Sequence, residues 1–242
     1  MQLQISLDPH RTFEIIACVC ATALYFHLRR RAGRAPFPPL TILSLIGGCV
    51  LGAWTGSKLL VLLESLRLPF TGELLARLLA GGKSTVGAIL GGWLGIELIK
   101  RCLRLHTQTG EFFMYPLAVG TAIARVGCFV TGLEDQTHGL ATRLPWGVDY
   151  GDGIARHPAQ LYEVAYVLVL AVMLHRRAAV HASAPATLFR QYLVGYLAFR
   201  LGVEFLKPRE ALLLHLSATQ LICLLALGWL VWRQARASRR VA

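Results

Sequence analysis

Residues 124–163 read ARVGCFVTGLEDQTHGLATRLPWGVDYGDGIARHPAQLYE, a polar, glycine-rich stretch in a chain that otherwise consists mostly of apolar runs. Of the 242 residues, 55% are hydrophobic and only 16% are charged. Apolar runs separated by short basic clusters are typical of an integral membrane protein. A cluster of charged residues within such a chain usually marks a functional site, so residues 124–163 are the first candidate for one.

Seven apolar segments can be counted along the chain. They are 12–28, 38–63, 84–99, 112–130, 159–174, 189–206 and 216–232. They predict an all-α membrane protein with about seven transmembrane helices, in which the polar stretch forms the loop region between helices 4 and 5. The first segment is followed by RRRAGR rather than by a cleavage site, so we expect a retained helix. We expect residues 1–242 to form a single transmembrane domain.

The basic residues indicate an orientation. With the amino terminus outside, the inner loops and the carboxyl-terminal tail hold Arg29, Arg30, Arg31, Arg34, Lys100, Arg101, Arg104, Arg176, Arg177, Arg190, Arg233, Arg236, Arg239 and Arg240. Fewer basic residues then lie outside, as the positive-inside rule requires, and the loop between helices 4 and 5 opens outward. This placement also accounts for the net charge of +12 without nucleic acid as a partner.

Small residues recur every four positions in the second and third segments. They are Ser44, Gly48, Gly52 and Gly56 in the second segment and Gly87, Gly91 and Gly95 in the third. Because small residues at this spacing let two helix backbones approach closely, the pattern predicts that these helices pack together.

Two arginines occupy apolar surroundings. A guanidinium such as that of Arg125 costs roughly 2.5–3.5 kcal/mol on insertion scales unless it is paired or solvated. Glu134 or Glu204 could supply the counterion, and so could a phospholipid phosphate, which Arg binds through two parallel hydrogen bonds. Arg200 and Glu204 are four residues apart and share a helix face, so they can pair with each other or present Arg200 to an anion.

The end of the polar stretch predicts a helix start. Pro158 suits the first helical position, and Gln160 is placed to reach back to the cap. Tyr162 and Glu163 then lie on the first turns of the fifth helix. The cysteines form no CxxC pair and have no His or Cys neighbour at metal spacing, so we expect no metal site and no cofactor.

At these residues the chain resembles the prolipoprotein diacylglyceryl transferases. Their signature G-R-x-G-N-F-x-N-x-E is similar to residues 124–134, R-H-P-S-Q-L-Y-E to residues 156–163, and R-F-x-x-E-x-x-R to the stretch that begins at Arg200. The resemblance implies a bacterial inner-membrane enzyme with a periplasmic amino terminus and a cytoplasmic carboxyl terminus. It also implies transfer of the diacylglyceryl group of phosphatidylglycerol to the lipobox cysteine of a prolipoprotein, with release of glycerol phosphate.

The same resemblance assigns roles to individual residues. It implies catalytic roles for Arg125, Glu134, His157, Arg200 and Glu204, and substrate binding by Arg125, Gly127, Arg156, Gln160, Tyr162, Glu163 and Arg200. Two arginines, Arg125 and Arg200, would hold the phosphate as a leaving group, while the acceptor thiol loses its proton to become the nucleophile.

The chain departs from the family pattern at positions that matter for catalysis. Cys128 and Thr131 replace the two signature Asn residues, Trp54 replaces an Arg, and Val86 replaces the His of F-H-G-G, a proposed catalytic base. Three alternatives follow: another group such as His157 or Glu134 serves as base, the acceptor differs, or the protein binds or flips phospholipid without reacting. A covalent role for Cys128 is a further alternative.

Overall fold

The structure is a computed structural model that describes residues 9–34, 37–65, 72, 84–105, 112–181, 185–208 and 211–238. Its α-helices are α1 (Pro9–Arg31), α2 (Pro39–Glu64), α3 (Thr85–Cys102), α4 (Met114–Thr131), α5 (Ala159–His181), α6 (Pro185–Val203) and α7 (Ala218–Ser238). Each coincides with one of the seven apolar segments, so the prediction of a mostly helical chain is confirmed. Arg239 and Arg240, which were used for the orientation, lie outside the described residues.

Several helices have the length and composition of membrane spans. Among the described residues, Pro9–Arg31, Pro39–Glu64 and Met114–Asp135 are long and apolar enough to cross a membrane, and Ala218–Arg233 is a shorter apolar helix. Large apolar side chains such as Leu40, Leu51 and Leu225 are at least two-thirds exposed. Exposed apolar side chains along a helix are expected where the helix faces lipid.

The chain divides into two compact units. One unit contains α2, α3 and α7. Within it, α2 and α3 pack backbone to backbone, since a methyl group added at Gly52 or Gly56 would collide with the carbonyl oxygen of Gly91 or Gly87. The predicted packing of these helices is therefore confirmed.

The other unit contains α1, α4, α5, α6 and the polar loop that joins α4 to α5. In this unit α1 packs against α4, because Gly127 has no side chain and leaves room for Phe13. Contact between α5 and α6 is aromatic: the rings of Tyr166 and Phe199 stack with centroids 4.2 Å apart. Tyr166 also donates a hydrogen bond of 2.9 Å to the carbonyl oxygen of Gly195.

The polar loop contains a small ribbon that the sequence analysis did not predict. Strands β1 (Val148–Asp149) and β2 (Ala155–Arg156) pair antiparallel. One carboxylate oxygen of Asp149 accepts hydrogen bonds from the backbone N–H groups of Gly151, Asp152 and Gly153, at 2.8, 3.1 and 3.0 Å. Gly151 and Gly153 both have positive φ, which explains why glycine occupies these positions.

Candidate active site

An ion cluster lies within the unit formed by α1, α4, α5 and α6. Its centre is Glu163, which is completely buried on α5. One of its oxygens, Oε2, accepts from Nε of Arg125 at 2.9 Å and from Nη1 of Arg200 at 3.2 Å. The other oxygen, Oε1, accepts from the hydroxyl of Tyr196 at 2.7 Å. Glu163 therefore joins the two arginines that the sequence analysis singled out.

Glu204 completes the cluster. Its Oε2 accepts from Nη2 of Arg200 at 3.0 Å, which confirms that these two residues can pair. Arg125, Arg200 and Glu204 are all less than 10% exposed. Two guanidinium cations and two carboxylates thus face one another in a buried site, where each charge has a partner of opposite sign, as burial requires.

In the structure the counterion of Arg125 is Glu163, a residue outside the alternatives that the sequence analysis left open. Those alternatives were Glu134, Glu204 or a phospholipid phosphate, and Glu163 was named there only for substrate binding. Glu134 is exposed, on a short 3-10 turn (Gly132–Asp135) that follows α4. Its position near Arg125 in the sequence was therefore a poor guide, because the turn carries its side chain toward the surface.

The cluster lies near the ends of its helices. Arg125 is six residues before the end of α4, Glu163 four residues after the start of α5, and Arg200 three residues before the end of α6. At about 1.5 Å per residue, these positions are about 5–9 Å from the helix ends. The cluster therefore lies within about two helical turns of each of these helix ends.

Some buried donors near the cluster remain unused. Gln160 precedes Glu163 by three residues on α5, so both face the same side of that helix. Its Oε1 accepts from the hydroxyl of Tyr150 at 3.1 Å. The Nε2 of Gln160, the Nε of Arg200 and the hydroxyl of Tyr192 have no hydrogen-bond partner among the described residues. Buried donors without partners are costly, so they point to a ligand rich in acceptor oxygens.

His157 belongs to the polar loop rather than to the ion cluster. Its Nδ1 lies 3.1 Å from the hydroxyl of Tyr162, and that hydroxyl accepts a 2.8 Å hydrogen bond from the indole N–H of Trp146. Its backbone also joins two parts of the polar loop. The N–H of His157 donates to the carbonyl oxygen of Leu140, and its carbonyl oxygen accepts from the N–H of Gly139. These contacts support a structural role for His157 in holding the polar loop against the start of α5, rather than the catalytic role that the resemblance implies.

Arg156 also has a partner within the loop. Its Nη1 donates to Asp152 at 2.7 Å and to the carbonyl oxygen of Ile154 at 3.1 Å. The hydrogen bond from Arg156 lowers the pKa of the Asp152 carboxyl. This pair spans the ribbon turn, so substrate binding by Arg156 stays a prediction.

Gly127 contributes to helix packing, since a Cβ there would overlap Phe13 of α1. Its predicted contact with a headgroup stays a prediction. Val86, at the position of the family His, is completely buried and has no group that accepts a proton.

Cys128 has neighbours that the sequence could not indicate. Its Sγ lies 3.7 Å from Nη1 of Arg125. Its sulfur, a ring nitrogen of His10 and a carboxylate oxygen of Asp135 all lie within 4.8 Å of one another. The sequence alone places no His or Asp beside Cys128, so these neighbours result from the tertiary fold. These three residues offer ligands that a metal could use, and both ring nitrogens of His10 also lie near carboxylates: Nδ1 is 3.1 Å from Asp135 and Nε2 is 3.1 Å from Glu14.

A covalent role for Cys128 stays a prediction, and for a diacylglyceryl transfer it meets a chemical objection. Alkylation of Cys128 would give a thioether, and transfer to an acceptor thiol would then require a thiolate to leave from carbon. Such a step is far slower than the displacement of a phosphate, so the thioether would be a dead end. The preorganised cations of the cluster are suited to stabilise a developing anion.

Comparison with known proteins identifies the family of the chain. The family model for prolipoprotein diacylglyceryl transferase matches residues 3–233. Three relatives, each named phosphatidylglycerol–prolipoprotein diacylglyceryl transferase, are similar to the chain. The protein of Solidesulfovibrio magneticus is 30% identical over 95% of this chain and 86% of its own length. That of Geobacter sulfurreducens is 32% identical over 78% and 74%. That of Cupriavidus pinatubonensis is 30% identical over 66% of this chain and 61% of its own length, less than two thirds of that relative.

The matched region includes every residue of the ion cluster, and α4, which carries Arg125, is long and apolar enough to cross a membrane. The chain belongs to the prolipoprotein diacylglyceryl transferase family.

Proposed function

We propose that this protein transfers the diacylglyceryl group of phosphatidylglycerol to the cysteine thiol of a prolipoprotein lipobox, the first step of lipoprotein maturation. The observation that carries the proposal is the buried cluster of Arg125, Glu163 and Arg200 with its unused donors. The names of the relatives point to the same substrates.

In this proposal the cluster binds the phosphodiester of the lipid. Nε of Arg200 and Nε2 of Gln160 donate to phosphate oxygens, and the guanidinium of Arg125 also donates to the phosphate. Glu163 and Glu204 hold both guanidinium groups in place before the lipid arrives, so little reorganisation is needed when charge develops. Tyr162 and Glu163 lie on the first turns of α5. The resemblance implies that both residues bind the substrate.

The reaction is an alkyl transfer. The acceptor cysteine loses its proton, and its sulfur attacks the glyceryl carbon that bears the phosphate. The C–O bond breaks as the S–C bond forms, and the electron pair leaves on the phosphate oxygen of glycerol phosphate. The arginines stabilise this anion in a site that contains little water, where electrostatic interactions are stronger than in solution.

We further propose that all seven helices cross the bacterial inner membrane and that residues 1–242 act as one transferase domain. Support for the orientation comes from Arg29, Arg30 and Arg31 at the end of α1 and from Arg236, which lies over the ring of Trp232 on α7. The polar loop and the ion cluster at the adjoining helix ends would then face the periplasm.

The orientation is tested by labelling. A cysteine introduced at Asp152 of the polar loop should react with an impermeant maleimide on intact spheroplasts, and one at Arg236 should react only after lysis. Exposed native cysteines are first changed to Ser, so that the new thiol gives the signal. Protection of residue 152 together with labelling of residue 236 would place the site in the cytoplasm and reverse the orientation.

A second test concerns His157. His157→Gln removes the contact with Tyr162, so we expect a lower thermal unfolding temperature and a loss of kcat smaller than about 10-fold, with an unchanged pH profile. A catalytic base would instead contribute roughly 10²–10⁴ to the rate. If the ascending limb of the pH profile disappears in His157→Gln, the structural interpretation is wrong.

The function itself is tested with purified protein, phosphatidylglycerol labelled in its acyl chains, and a lipobox peptide. We expect label to move to the Cys peptide and not to a matched Ser peptide. Binding of phosphatidylglycerol without transfer to any thiol would favour a lipid-binding or flipping protein, and transfer to another thiol alone would mean a different acceptor.

A further inference from the structure

Lys207 lies beside the buried ion cluster, directly after a 3-10 turn (Glu204–Leu206) that follows α6. It is 9% exposed, and its side chain forms no hydrogen bond or ion pair with any other residue that the structure describes. Hydrogen bonds hold the backbone around Lys207. Its N–H donates to the backbone carbonyl oxygen of Glu204 at 3.3 Å, and the carbonyl oxygen of Leu206 accepts from the N–H of Leu140 at 2.7 Å. A buried lysine in these surroundings has little to keep it charged, because burial favours the neutral amine.

The charges that act on Lys207 come from each element of the cluster. Arg125 belongs to α4, Glu163 to α5, Arg200 to α6 and Glu204 to the following turn. Burial and then repulsion by Arg200 and Arg125 lower the pKa of Lys207 to about 7, against a smaller opposing effect of the two carboxylates. Much of the protein therefore carries a neutral amine here near neutral pH, and a neutral amine can accept a proton.

We propose that Lys207 is the general base that removes the proton from the acceptor thiol. The inference rests on the proposed transferase function and adds the residue that starts the reaction. The thiol proton moves to Nζ of Lys207, the thiolate sulfur bonds to the glyceryl carbon, and the C–O electron pair leaves with the phosphate. The ammonium then returns its proton to water or to the released glycerol phosphate.

Binding of the lipid strengthens this base. A phosphodiester held by Arg125 and Arg200 places a negative charge near Lys207, and a nearby anion raises the proton affinity of an amine. Lys207 thus becomes a better proton acceptor once the phospholipid is in place. Because the base is stronger with lipid bound, the thiolate forms mainly when the glyceryl carbon of the phospholipid is in the site.

The sequence gives this lysine a second significance. The signature R-F-x-x-E-x-x-R ends in Arg, and in this chain the corresponding position is Lys207. A guanidinium keeps its proton in proteins, whereas an amine with a lowered pKa can lose it. Val86 stands at the position of the family His, so the chain lacks a proton acceptor there. Lys207 supplies a proton acceptor at a different position.

The test is the pair of variants Lys207→Arg and Lys207→Met in the full-length protein, with Lys100→Arg as the matched control at a lysine that pairs with Glu97. Transfer from phosphatidylglycerol is measured across pH with a lipobox peptide and with the same peptide carrying selenocysteine. A selenol is a much stronger acid than a thiol and is ionised near neutral pH without a base. Thermal unfolding and binding of phosphatidylglycerol show that each variant is folded.

For the unchanged protein and for Lys100→Arg, we expect kcat/KM for phosphatidylglycerol with the thiol peptide to rise with pH through a pKa near that of Lys207 in the lipid-free protein, because the neutral amine is the active form. We expect kcat to rise at a higher pH, because the bound phosphodiester raises that pKa. Lys207→Arg should bind lipid normally yet react roughly 10²–10⁴ times more slowly with the thiol, the usual contribution of a general base. With the selenol, its rate should return to within about 10-fold of the unchanged protein.

Two results would overturn the inference alone. One is full activity of Lys207→Arg with the thiol, which would mean that only positive charge is needed. The other is an equal loss with thiol and selenol in folded variants that bind lipid, which would mean a role other than proton removal. If the unchanged protein transfers nothing to either peptide, the proposed function fails, and the role of Lys207 fails with it.

Discussion

Replacing Arg125 with Ala is expected to abolish diacylglyceryl transfer, with a fall in kcat/KM of at least about 10³-fold. The change removes a cation from the phosphate site, and the loss of one such stabilising group typically costs roughly 10²–10³ in kcat. It also leaves Glu163 with one arginine instead of two. The measurement is the initial rate of label transfer to the lipobox peptide, at equal amounts of folded protein.

Arg125→Lys distinguishes geometry from charge. Lysine keeps the positive charge but cannot form two parallel hydrogen bonds to a phosphate, so we expect little of the activity to remain. The matched control is Arg236→Lys at the exposed end of α7, which should be fully active. Full activity of Arg125→Lys at normal membrane levels would show that charge alone is sufficient.

Glu163→Gln is expected to destabilise the protein and to abolish its transfer activity. The glutamine has nearly the same shape, but it removes the negative charge that both Arg125 and Arg200 contact and turns an NH₂ group toward them or toward Tyr196. Breaking a buried ion pair in this way costs about 3–5 kcal/mol. Thermal unfolding in detergent should therefore shift strongly downward, and transfer should be lost.

The matched control for this variant is Glu134→Gln. Glu134 is exposed on the turn after α4, so its replacement should change stability by no more than about 0.5 kcal/mol. Comparable unfolding temperatures for the two variants would contradict the central place given to Glu163. A large loss of rate in Glu134→Gln without a loss of stability would restore Glu134 as a catalytic residue.

Local patterns predicted much of the fold. The apolar segments coincide with helices because hydropathy and length are properties of consecutive residues. The spacing of Gly52, Gly56 and Gly91 predicted how α2 and α3 pack, since a four-residue repeat defines one helix face. Arg200 and Glu204 were paired correctly for the same reason.

The site itself depended on contacts that no local pattern contains. Arg200 and Glu163 are 37 positions apart, and nothing in their spacing indicates that α5 and α6 bring them together. His10 lies beside Cys128 only because α1 packs against α4. The ribbon depends on side-chain-to-backbone hydrogen bonds from Asp149, which a composition rich in glycine does not specify. Lys207 did carry a signal, since it stands three residues after Glu204 at a signature position.

The central claim is that the buried arginines stabilise a phosphate leaving group while a thiol takes the diacylglyceryl carbon. Phosphorus NMR of a reaction between the purified protein, phosphatidylglycerol and a lipobox peptide tests it most directly. The account predicts that the phosphodiester signal is replaced by that of glycerol phosphate, a phosphomonoester, in equal amount to the thioether found on the peptide by mass spectrometry. Formation of phosphatidic acid, or a phosphodiester signal that stays unchanged while the protein binds the lipid, would contradict it.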